Sequence, residues 1–179
     1  SHRVRKGDFN ATWQLWQAVA ALEALHPDSL ESLAHHAAAG GDRPRAARYY
    51  RQAGERAAAQ YASREAVVFL SRAIEFTAED QAAERYALLL AREKAHDLLG
   101  EREAQRQDLE NLRQMAATLD EKRQAEAALR QANYAEGTSD FSVAVAAAQD
   151  AARLARRAGD ALAEAAACSQ WGVALRRQG

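Results

Sequence analysis

The chain has 179 residues, a formal net charge of -1 and 27% charged side chains, with 2 Pro, 9 Gly and 1 Cys. A single cysteine excludes an internal disulfide framework, and the balanced charge argues against bulk electrostatic binding to nucleic acid. No apolar run is long enough to span a bilayer and no signal peptide is readable, so a cytoplasmic protein with no membrane partner is expected.

About a quarter of the residues are Ala, far above ordinary usage. With few β-branched residues and few turn formers, this composition predicts an all-α protein. The only lysines are Lys6, Lys94 and Lys122. Arg-rich, Ala-rich usage suggests GC-rich coding and a bacterial source.

Helix breaks fall at His26-Pro27-Asp28, Gly40-Gly41-Asp42, Ser63, Thr77-Ala78-Glu79-Asp80, Gly100-Glu101, Leu119-Asp120, Gly137-Thr138-Ser139-Asp140 and Gly159-Asp160. Each supplies a helix stop, an N-cap, or both. They predict nine helices, at 10-25, 28-40, 43-60, 63-77, 80-99, 101-117, 120-136, 140-158 and 160-178.

In chain order, the first helix sets Leu15, Val19 and Leu22 on one face and carries Trp13 and Trp16 three residues apart. Residues 1-27 are expected to cap the core or to contact an upstream domain. The second helix aligns Leu30, Leu33 and Ala37. The third holds the one basic concentration, from Arg43, Arg45, Arg48, Arg51 and Arg56 on to Arg64, opposed locally by Glu55. Segment 75-110 is acid-rich in return. Tyr86, Leu89 and Leu90 mark the fifth helix, and Leu109, Leu112 and Met115 the sixth. Short links make neighbouring helices antiparallel hairpins.

A repeat runs through these hairpins. Ala66, Gln105 and Ala144 open equivalent stripes 39 residues apart, followed by Leu70-Ala73, Leu109-Leu112 and Ala148-Ala151. Small residues recur midway along the preceding helices at Gly54, Ala132 and Gly172, 78 and 40 residues apart. Small residues at fixed places let paired helices approach closely, which predicts an α-solenoid filling residues 1-179 as one domain.

The pattern resembles the tetratricopeptide repeat. Trp171-Gly172 looks like its usual Leu-Gly pair. Ala46-Tyr50-Ala53 and Ala66-Leu70-Ala73 look like its small-large-small runs. The usual closing Pro is missing, Gln105 stands where Ala is expected, and the period exceeds the usual 34 or so residues. A closer resemblance covers Leu33-Ala34-His35-His36, Gly41-Asp42, Arg45-Ala46-Ala47-Arg48-Tyr49-Tyr50, Ala53-Gly54-Glu55-Arg56-Ala57, residues 65-75 and residues 103-109. These segments are similar to the repeat arm of bacterial STAND-type signal-transduction ATPases. The resemblance implies a right-handed array that senses an inducer or a partner. It also implies an ATPase module elsewhere in the parent protein, with a cyclase or transcription-regulating DNA-binding domain as output. No Gly-rich loop with Gly-Lys-Ser/Thr occurs in this chain, so no ATP site is assigned to it. By the repeat's logic the last helix opens a hairpin whose second helix is absent. Trp171 and Leu175 are therefore expected to lack cover, in a piece of a larger protein prone to self-association.

No catalytic constellation is readable. His35 and His36 are adjacent and point about 100° apart, so they cannot chelate one ion as an i, i+4 pair can. His26 and His96 lie in other segments, and no metal or cofactor is assigned. Cys168, flanked by Ala, reads as a small buried hydrophobe. Glu101, Glu103, Asp108 and Glu110 read as solvated carboxylates countered by Arg102, Arg106 and Arg113.

Arg48 and Arg51 share a helix face and are placed in the groove beside Glu55, where guanidinium groups would grip a carboxylate or phosphate. The competing reading solvates these arginines or pairs them with the acidic face of the next repeat. The tetratricopeptide resemblance places Arg130 and Asn133 in the same groove. The function expected is non-enzymatic binding of a protein, a peptide or an adjacent domain. The alternatives are a free-standing tetratricopeptide adaptor and a receptor holding a small molecule or peptide inducer in the groove.

Overall fold

The computed structural model describes residues 29–179 together with Gln17. These residues are all-helical and contain no strand. Eight helices follow one another: α1 Leu30–Ala39, α2 Arg43–Ala59, α3 Ser63–Phe76, α4 Ala82–Leu99, α5 Arg102–Leu119, α6 Glu121–Gly137, α7 Phe141–Arg157 and α8 Ala161–Gln178. The helix expected at 10-25, with Trp13 and Trp16, lies outside the described residues.

The sequence period reappears in the helix starts. α3, α5 and α7 begin 39 residues apart, at Ser63, Arg102 and Phe141. α2, α4, α6 and α8 begin at Arg43, Ala82, Glu121 and Ala161, with steps of 39, 39 and 40.

One tight turn is used four times, because one residue can end a helix while the next starts another. Gly41 N–H donates to the Ala38 carbonyl and Asp42 N–H to the Ala37 carbonyl. Tyr61 and Ala62, Ser139 and Asp140, and Gly159 and Asp160 repeat this pair of bonds one, five and six helices on. The geometry needs a left-handed residue at the first position, and φ is +77° at Gly41 and +70° at Gly159. Tyr61 and Ser139 take the same conformation without being glycine, at +60° and +63°. The second residue then caps the next helix. The carboxylates of Asp42, Asp140 and Asp160 accept from the backbone N–H of Arg45, Val143 and Ala163.

The chain divides into two compact units between Leu99 and Gly100. In the first, α1 packs on α2, α2 on α3 and α3 on α4. Leu33, Ala46, Tyr49, Tyr50, Ala66, Leu70 and Ala73 form its core. A Cβ built on Gly54 would stand 2.8 Å from Leu70 Cγ, so the glycine sets how closely α2 and α3 approach. In the second unit, α5 packs on α6, α6 on α7 and α7 on α8. Its inner surfaces are mostly Ala: Ala135, Ala144 and Ala174 meet in one cluster, and Ala151, Ala152 and Ala167 in another. Each Ala buries little area, so the unit depends on many close contacts rather than a few large side chains.

Several residues lie where sequence periodicity did not place them. Asp108, expected on a solvated face, is 2% exposed. Gln105 occupies the small-residue position of α5 fully buried, with Arg102 Nη1 donating to its Oε1 at 2.6 Å. Cys168, expected buried, is exposed, because the helix directs its neighbour Ala167 into the core instead. Glu93, which falls 39 residues after Gly54, and His96 are also buried.

Candidate functional site

α2 and the start of α4 frame an open cleft of about 870 Å³ in the first unit. One wall is α2, with Arg43, Ala47, Arg48, Arg51, Gln52 and Glu55. The other runs from the end of α3 into α4, through Phe76, Thr77, Asp80, Gln81 and Glu84. The 3.6-residue period produces the α2 wall: positions 44, 48, 51 and 55 share a face turned away from Ala46, Tyr49 and Ala53 in the core.

The arginines of this wall are held in place. Arg51 Nε donates to Glu55 Oε1 at 2.7 Å and its Nη1 to Glu84 Oε1 at 2.6 Å. The hydrogen bond from Glu55, then that from Glu84, raises the pKa of Arg51 above its already high ordinary value. Arg43 Nη2 donates to the Glu75 carbonyl at 2.7 Å, and its guanidinium lies 5.4 Å from the centre of the Phe76 ring. Phe76 in turn stacks on Tyr50, with centroids 5.7 Å apart. Arg48 lies over Tyr49, its guanidinium carbon 4.8 Å from the ring centre, and donates to the phenol oxygen at 3.0 Å. Arg85 closes the far end of α3 by donating to the Ile74 and Thr77 carbonyls.

Arg48, Arg51 and Glu55 are thus brought together on one wall. Arg51 meets the acid-rich segment through Glu84, the pairing that competes with a free anion grip. Three cationic side chains, Arg43, Arg48 and Arg51, face three acidic ones, Glu55, Asp80 and Glu84. The cleft is charged on both signs and balanced, with Pro44, Ala47 and Phe76 as its apolar surface. Glu84 and Phe76 were not singled out in the sequence. The signal for Glu84 was the acidic excess after residue 75.

Arg130 and Asn133 lie on α6, half-buried. By the repeat they fall 78 residues after Gln52 and Glu55, which line the cleft of the first unit. They are not among the residues lining a smaller hollow of about 280 Å³ in the second unit, where Leu109, Ala116, Gln124, Ala127, Gln131 and Leu154 meet. On α8, Trp171 is half-buried and its indole N–H is enclosed without a hydrogen-bond partner. Leu175 is 46% exposed. Among the described residues, no three His, Cys, Asp or Glu side chains are placed to hold a metal ion, and no helix is long and apolar enough to cross a membrane.

No protein-family model matches the chain, and no curated protein sequence matches it.

Proposed function

We propose that this chain is a non-catalytic, tetratricopeptide-like binding arm that takes a protein or peptide segment in the cleft between α2 and the start of α4. The observation that carries this reading is the cleft's wall. Arginines fixed by Phe76, Tyr49, Glu55 and Glu84 present charges of both signs beside apolar surface. Fixed side chains lose little entropy when a ligand binds. Paired charges of both signs select a segment with its own alternating charges over a simple anion, which would have to displace Glu84 or Glu55 from Arg51. An open, charged cleft fits an extended peptide better than an enclosed apolar small molecule. The resemblance to the arms of STAND-type signal-transduction ATPases supports a role in which such binding is passed to an attached switch domain.

A displayed peptide library selected on the chain tests this reading. Peptides carrying both acidic and basic residues should be enriched, and Ala47→Trp, which fills the cleft, should abolish their binding. Failure to enrich any peptide, or binding indifferent to Ala47→Trp, contradicts it.

A further inference from the structure

The α8 surface has the register of a helix-binding surface found twice elsewhere in this chain. On α2, the stripe Tyr50, Gly54, Ala57 is buried, and Leu70 of α3 fills the space over Gly54 at 2.8 Å. On α6, 78 residues later, the stripe is Ala128, Ala132, Ala135. Ala132 and Ala135 are 0% and 2% exposed, and Ala135 packs against Ala144 of α7. On α8, 40 residues further, the stripe is Cys168, Gly172, Leu175. Here Cys168 is exposed, Leu175 is 46% exposed, and a Cβ at Gly172 would meet nothing within 4 Å. The opposite side of α8 is already committed, with Ala167 and Ala174 buried in the second unit.

We propose that the Cys168–Gly172–Leu175 face of α8 docks an amphipathic helix of a partner protein. The two covered copies of the stripe define its chemistry. The helix carries a small residue, then a Leu or Ala four positions on, then another small residue three positions on, as Ala66-Leu70-Ala73 and Ala144-Ala148-Ala151 do. The large member enters the space over Gly172, as Leu70 does over Gly54. An antiparallel approach, as in the hairpins, brings its first turn to the end of α8. Arg176 and Arg177 stand there, so an acidic first turn, like that of α3 with Glu65, is favoured. The face is distinct from the α2–α4 cleft.

The probe is a synthetic peptide of residues 63–76, acetylated and amidated, added to the 15N-labelled chain. The indole resonance of Trp171, assigned with Trp171→Phe, and the amides of residues 168–175 report binding. The expected result is saturable shifts of these signals. They should weaken about tenfold or more with a Leu70→Asp peptide or with a Leu175→Glu chain. Leu175 is exposed, so Leu175→Glu should fold normally, which circular dichroism checks. Unshifted signals at millimolar peptide, or equal shifts with the Leu70→Asp peptide or the Leu175→Glu chain, overturn the proposal. So does a chain that dimerises by itself through this face and becomes monomeric on Leu175→Glu, because the occupant is then a second copy.

Discussion

Leu70 sits against Gly54 so closely that no side chain fits between them: a Cβ at position 54 would lie 2.8 and 2.9 Å from Leu70 Cγ and Cδ2 and 3.3 Å from the Leu70 backbone nitrogen. Leu70 is fully buried and has no room to retreat. Gly54→Ala should therefore destabilise the chain by about 1–3 kcal/mol through overpacking, against a helix-propensity gain of about 1 kcal/mol. The equivalent Gly172→Ala meets open space and should stabilise by about 0.5–1 kcal/mol. Opposite shifts in urea midpoint for these two substitutions check the assignment of the repeat register.

Tyr61 and Ser139 hold the left-handed turn conformation that Gly41 and Gly159 hold at the equivalent turns. A non-glycine residue there is strained by about 1 kcal/mol. Tyr61→Gly should raise the melting temperature, aided by the fact that Tyr61 is 88% exposed and gives up little packing. Ser139→Gly should do the same. Gly41→Ala and Gly159→Ala should lower it.

Trp171 encloses an indole N–H that nothing accepts. An unsatisfied buried donor costs about 1–3 kcal/mol, so Trp171→Phe should leave stability unchanged or increase it despite the loss of ring area. A large loss on denaturant titration would mean that the ring's packing outweighs the orphan donor.

Asp160 caps α8. The Ala163 N–H, followed by the Lys122 ammonium, holds its carboxyl below the usual carboxylate range. Asp120 is lowered likewise by the Arg123 N–H at the start of α6. A pKa depressed on folding contributes stability that is complete above the unfolded value of about 3.9. It is lost as pH falls through the folded value. The urea midpoint should therefore drop on going from pH 5 to pH 2.5. Asp160→Asn keeps a capping oxygen but does not titrate, so its drop should be smaller. An equal drop would remove Asp160 from the acid response.

The helices and their period were legible because Gly and Asp mark the turns and Ala, Leu and Tyr mark the packed faces. The expected 43-60 and 160-178 fall within a residue or so of α2 and α8. Periodicity identifies a face but not whether something covers it. That is why Asp108 reads as surface and is buried, while Cys168 reads as buried and is exposed. The candidate site was legible in part. Arg48, Arg51 and Glu55 follow from spacing on α2, whereas Glu84 lies 33 residues from Arg51 and joins it only when the hairpin folds. Buried Glu93 and His96 carried no sequence mark apart from breaking the small-residue pattern.

The cleft's central pair is partly exposed, with Arg51 and Glu84 side chains 43% and 39% accessible. Its contribution to stability should accordingly be small, under about 1 kcal/mol, and should fall with added salt. A double-mutant cycle of Arg51→Ala and Glu84→Ala checks this. The same substitutions should weaken peptide binding far more than they weaken the fold, because the pair orients the cleft wall.

Hydrogen exchange read by mass spectrometry, with and without a peptide selected on the chain, tests the binding-arm account most directly. The account predicts added protection in residues 43–55 and 76–84, lost in Ala47→Trp. Protection confined to other segments, or none in these two, would contradict it.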